Sequence, residues 1–210
     1  TADRKLFGRP LAANQAIRLS NLPEGSTNTV YVLGRHANGA MQNFLSPTIS
    51  RTWVVKADHP RVWINEFLAQ NDSAVNHEGT FPDMVELFNQ DIRPKDLEGM
   101  SLSDDPDQPT KFVFPAGTTI GPRAYLVLYA NNPDGTSGLH LGFNLDRKGE
   151  GLYFYDTPAN GGGLIDAVVF GHQLADKSAG RLLALGGAFH LAEPTFGDAN
   201  VLTSVGDSST

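Results

Sequence analysis

The densest set of residues able to do chemistry is the acidic run Asp104-Asp105-Pro106-Asp107. Calcium takes roughly six to eight oxygen ligands, several of them carboxylates and backbone carbonyls. A turn bearing Asp104, Asp105 and Asp107 can supply part of such a shell, so these three are the calcium candidates. The run lacks the D-x-D-x-D-G spacing of an EF-hand, and a solvated acidic turn is the competing reading. A sparser set is His77-Glu78 with Asp72 and Asp83. A loop of that composition can help hold a cation, or can simply be polar surface.

Glu66 and Glu86 differ in kind. Each is a lone acid inside an apolar run, Val62-Trp63-Ile64-Asn65-Glu66-Phe67 and Met84-Val85-Glu86-Leu87-Phe88. Paired carboxylates do acid–base work in glycoside hydrolysis. A buried acid is equally a polar anchor that accepts hydrogen bonds from loop backbone. The six histidines, His36, His59, His77, His140, His172 and His190, form no H-E-x-x-H or other compact metal spacing. No G-x-S-x-G elbow and no G-x-x-x-x-G-K-S/T phosphate loop occurs. Gly161-Gly162-Gly163 lacks the flanking strand and helix of a phosphate cradle and reads as a hairpin loop. Without cysteine, disulfides, thiolate metal sites and cysteine nucleophiles are excluded. The residues point to no catalytic centre and to no cofactor other than calcium.

The elements that must position these residues read as strands. Val62, Ile64 and Val85, Leu87 alternate as half-buried strands require. Lys111–Phe114 ends in the turn Pro115-Ala116-Gly117, and Tyr125–Tyr129 is apolar on both faces, which predicts a central strand. Further strands are expected at Leu139–Phe143, Leu152–Tyr155 and Ile165–Gly171. About eight or nine strands in about 120 residues, with 22 glycines and 13 prolines and no amphipathic helix, imply an all-β sandwich. Trp63, Phe67, Phe88, Tyr153 and Tyr155 could face outward, as aromatics do on sugar- and protein-binding sheets; core packing or an interdomain contact is the preferred reading.

Residues 1–58 carry seven Lys/Arg against three Asp/Glu, net +4, and residues 59–210 carry nine against twenty, net −11. The larger part disfavours DNA, whose phosphates need a basic surface. No apolar run approaches the roughly 18 residues of a membrane helix. The charge changes sign at the polar stretch 56–60, which predicts a partition into residues 1–58, 59–200 and a tail 201–210. Within residues 1–58, strands are expected at Ala16–Leu19, Thr29–Gly34 and Thr48–Val55, with a hairpin turn at His36–Gly39.

This first segment resembles the last three strands of a fibronectin type III or bacterial immunoglobulin-like domain, through "I-x-L-x-N-L-P-x-G", "V-Y-V-x-G", "x-N-G" and "R-T-W-V-V". Such a sandwich needs roughly 90–100 residues; the segment is therefore partial, and residues 1–15 are expected to be poorly ordered or packed on a neighbour. Residues 60–182 resemble the lamin tail domain, the immunoglobulin-like sandwich of nuclear lamins that also occurs in bacterial surface and secreted proteins. The carrying motifs are Ile64-Asn65-Glu66, Val85-Glu86-Leu87-Phe88-Asn89, Leu97 to Asp104, Phe114-Pro115-x-Gly117-Thr118, Tyr125-Leu126-Val127, Gly149-Glu150-x-Leu152 and Asp166-x-Val168-x-Phe170-Gly171. Ser178–Arg181 and Pro194–Asn200 look like the bacterial versions. Met84 departs from the aromatic that many members carry. The resemblance implies a non-catalytic module of a larger bacterial extracellular or surface protein, in which Glu66 and Glu86, at positions where the family carries Glu, are polar anchors for loop backbone rather than an acid–base pair. Its expected partners are other domains of the same chain, and a polysaccharide or surface protein, but neither nucleic acid nor membrane. Thr1 at the start fits a mature or excised fragment.

Overall fold

The computed structural model describes residues 19, 22–43, 45–50, 52–55, 61–182 and 187–203. Two compact units emerge, Thr1–Ala57 and Asp58–Thr210. The strand expected at Ala16–Leu19, the order expected of residues 1–15 and the junction 56–60 fall almost wholly outside the described residues.

The first unit contains β1 (Thr27–Asn28), β2 (Tyr31–Val32), β3 (Thr48–Ile49) and β4 (Trp53–Val54). β1 pairs antiparallel with β4 and β2 with β3, and Arg35 bridges Met41. The result is one interrupted hairpin closed at Asn38-Gly39, where glycine adopts φ 91°. Asn38 and Gly39 thus do what the expected turn requires. The two long strands read from the sequence are broken in two because Thr29-Val30 and Ser50 exchange bonds partly through hydroxyls: Val30 N donates to Ser50 Oγ (2.8 Å) and the Thr29 and Thr52 hydroxyls meet at 2.7 Å.

The second unit is an antiparallel β-sandwich of the immunoglobulin-like kind, with no α-helix among the described residues. Its strands are β5 (Val62–Leu68), β6 (Asp83–Asn89), β7 (Lys95–Asp96), β8 (Ser101–Ser103), β9 (Phe112–Val113), β10 (Thr119–Ile120), β11 (Tyr125–Ala130), β12 (Gly151–Tyr155), β13 (Leu164–Val169), β14 (Ser178–Leu182), β15 (Ala188–Glu193) and β16 (Val201–Leu202). One sheet has the order β11-β6-β5-β14-β15-β16, the other β13-β12-β8-β9, and β10 pairs with β7 apart from both. Ile64, Phe67, Val85, Leu87 and Leu128 from the first sheet meet Leu102, Leu152 and Phe154 from the second. Phe114 closes the core edge-on to Phe154 and Phe112, at 6.1 and 5.0 Å.

Three expectations need correction. Tyr125–Tyr129 is not central: β11 is the edge of its sheet. Its apolar outer side is covered by side chains instead, Tyr129 by a stacked His77 ring at 3.7 Å and Tyr125 by Phe88 at 4.8 Å. Leu139–Phe143 is not a strand. It makes a single parallel bridge, His140 to Tyr129, because Gly138 and Gly142 adopt φ 104° and 77° and turn the chain away. Phe67 packs in the core, the preferred of its two readings. A β-bulge between Ile64 and Glu66 lets two residues oppose one, which reverses the alternation and sends Phe67 into the core. Finally, Val201–Leu202, within the expected tail, forms a strand on β15.

Candidate functional site

The bulge in β5 sets the most unusual polar cluster of the molecule. Val62 and Ile64 face the core, and uninterrupted alternation would send Glu66 there too. The extra residue, Asn65, turns Glu66 to the outer face of the six-stranded sheet, directly across from Glu86 on β6. Both acids are fully buried. What buries them is the segment Pro194–Asn200, which follows β15 and folds back over the sheet.

Nearly every contact in this cluster donates a proton to a carboxylate oxygen. Glu66 Oε1 accepts from Ser178 Oγ (2.5 Å) and Thr195 N (3.0 Å), and its Oε2 from Thr195 Oγ1 (3.2 Å). Glu86 Oε1 accepts from Asn65 Nδ2 (2.8 Å), and its Oε2 from Gly197 N. Asn200 Nδ2 donates to the carbonyls of Asn65 and Arg181, both at 3.0 Å. Gly180 makes room for that side chain, since a Cβ there would lie 2.7 Å from Asn200 Cγ. Burial pushes Glu86 up to about 7, with the neighbouring Glu66 and Asp198 charges adding to the rise. Glu66 is also raised by burial, although Ser178 and Thr195 pull the other way. The expected role of both acids as anchors for loop backbone matches this geometry. Removing the Glu86 carboxyl strands Asn65 Nδ2 and Gly197 N, so Glu86→Ala is expected to cost about 1–3 kcal/mol at pH 5. An unchanged melting midpoint would remove the anchor role.

The other sequence candidates are scattered. Asp104 lies 2.6 Å from Lys111 Nζ. Asp105 accepts from Asp107 N and Gln108 Nε2 within its own turn, and these bonds hold its carboxyl below the usual range. Among the described residues, no group of three or more His, Asp or Glu is placed to hold a metal ion. His77 and Glu78 do not converge with Asp72 and Asp83. His77 Nε2 lies 2.8 Å from Ser137 O, and Glu78 accepts from the Ser137 hydroxyl and amide. Asp72 accepts from Gln70, and Asp83 from Leu145 N.

Of the five aromatics only Phe67 joins the core; Trp63 and Phe88 lie in a row with Tyr125 on the outer face of the six-stranded sheet, at 6.1 and 4.8 Å, and Tyr153 stacks with Tyr155 at 6.5 Å. Phe67, Phe88 and Tyr155 are buried, and Trp63 and Tyr153 are half-buried. Phe67 instead packs against Phe170 (4.4 Å) and Phe189 (5.6 Å). These three rings line an open groove of about 260 Å³. At its rim Val169, Leu174 and Leu191 are exposed. Sequence reasoning missed both this groove and the covering role of Pro194–Asn200. The available signals were β15, an alternating Ala188–Glu193 segment after a glycine pair, and a lone acid in each of two adjacent strands.

The sequence profile of one protein family, the Lamin Tail Domain, matches residues 56–191. No curated protein and no solved structure is significantly similar to the chain.

Proposed function

Because the chain belongs to the lamin tail domain family, we propose that it is a non-catalytic interaction or spacer module of a larger bacterial extracellular or surface protein, positioning neighbouring domains of the same chain. The observation that carries this reading is the commitment of its acids to the fold. Glu66 and Glu86 hold a loop, Asp166 holds Arg181, and Asp104 holds Lys111. None of these pairs lines a cleft in which a substrate could be flanked by an acid and a base. The outward features are an apolar groove and a net charge of −11 over residues 59–210, a surface that repels nucleic acid. No helix of the described residues is long and apolar enough to cross a membrane.

The test is binding of the chain to a panel of soluble and insoluble polysaccharides at physiological salt, with calcium and then with chelator. The expected result is no binding in either condition and one melting midpoint in both. Saturable binding to one polysaccharide would replace the spacer reading with a recognition module. Calcium dependence of that binding, lost in Asp104→Asn, would assign the Asp104, Asp105 and Asp107 turn to the metal.

A further inference from the structure

We propose that Glu66 and Glu86 together retain one proton, and that this proton clamps the strap Pro194–Asn200 onto the outer face of the six-stranded sheet, so that the strap loosens as pH rises from the ordinary carboxyl range to neutrality. The register carries the argument. Residues directly opposite in an antiparallel pair have Cβ atoms about 4.5–5.5 Å apart, and like charges there repel. Both side chains are buried, and burial of two unpaired charges is far costlier than retention of a proton.

Among the described residues, no cation compensates the pair. From β11 the pair faces Tyr125, from the strap Asp198, and the charges bearing on Glu86 are Glu66 and Asp198, both negative. In the same cross-strand row, Gly180 separates Glu66 from His190 on β15. Arg181 presents only its carbonyl to the strap, and its guanidinium is engaged with Asp166 on the other face. Lys177 at the strap's root is held by Glu193 at 2.6 Å. Meanwhile the strap contributes mostly donors, Thr195 N, Thr195 Oγ1 and Gly197 N. All four carboxyl oxygens accept a hydrogen bond; a singly protonated pair keeps an acceptor lone pair at each of them while burying one charge instead of two.

The sign follows from linkage. A carboxyl held above its unfolded value contributes stability that is complete in acid and is lost as pH rises through the folded value, here about 7 for Glu86. Opening of the strap rehydrates the pair, so the opening equilibrium should grow on the order of a hundredfold between pH 5 and pH 8.

Two readouts on the whole chain test this: carboxyl carbon titration of Glu66 and Glu86 by NMR, and hydrogen exchange at the Thr195 and Gly197 amides, corrected for intrinsic exchange. One carboxyl of the pair should titrate near neutrality. Gly197 protection should fall as pH rises towards that midpoint and level off above it, while Leu87 on β6 keeps its own. Glu86→Gln retains an acceptor for Gly197 N and should abolish the pH dependence with the strap still protected. Both carboxyls titrating in the ordinary range, flat Gly197 protection in the unmodified chain, or an undiminished pH dependence in Glu86→Gln would each overturn the proposal. If the variant does not fold, the titration of the unmodified chain decides alone.

Discussion

Arg181→Ala should lower the stability of the sandwich by about 2–4 kcal/mol, because it leaves a desolvated carboxylate without its partner. Arg181 ties the two sheets together. From β14 its NH2 donates to Asp166 Oδ2 on β13 at 2.6 Å, its Nε to Ile64 O at 2.9 Å and its NH1 to Gly187 O at 3.1 Å. The guanidinium also lies over the Phe189 ring at 4.6 Å. Asp166 accepts from Ile64 N as well, so one acid and one arginine fasten the edge of the smaller sheet to β5. Burial still holds the Asp166 carboxyl above its ordinary value, even with Arg181 beside it. Without Arg181 that rise must increase. A raised carboxyl favours the fold in acid and penalises it as pH climbs, so the deficit of the variant should be larger at pH 8 than at pH 4. Urea midpoints at the two pH values measure this. Equal deficits would show that Arg181 acts through packing and carbonyl bonds rather than through Asp166. Arg181→Lys keeps the charge but not the planar fork, and should recover only part of the loss.

Gly149→Ala is expected to cost roughly 2–4 kcal/mol, the sum of left-handed backbone strain and overpacking. Gly149 adopts φ 115°, and a Cβ there would lie 2.6 Å from Phe170 O and 2.8 Å from Gly171 Cα. Both obstacles are backbone, so no rotamer change relieves them. The close approach is what lets Phe170 N reach Glu150 O at 2.9 Å and extend the β12–β13 ladder. Gly162→Ala is the matched control. It also has positive φ, 60°, but meets nothing within 4 Å, and should cost only about 1–2 kcal/mol. Thermal unfolding of the two variants side by side separates strain from collision. Equal losses would mean that the Phe170 contact yields without cost.

By itself the sequence determined the all-β class, most of the strands and the family, because these rest on local signals: alternation, turn residues and the order of short motifs. Val85 and Leu87 alternate into the core as read, and Asn38-Gly39 turns the first hairpin. Lone acids in apolar strands singled out Glu66 and Glu86, and the family resemblance marked them as anchors. Only the tertiary structure decided which way several side chains point and what covers them. One bulge at Asn65 sends Phe67 inward and Glu66 outward, and no period-two reading can see an inserted residue. Tyr125–Tyr129 looked central because both faces are apolar, yet its outer face is covered by Phe88 and His77 from elsewhere in the chain. The Asp104 turn looked like the densest chemistry, but its charge is answered by Lys111 across the β8–β9 hairpin. The strap partners of Glu86 and Glu66 lie 111 and 129 residues away, at Gly197 and Thr195. Spacing along the chain carries no record of such contacts, since they arise only when the strap folds back over a sheet already assembled.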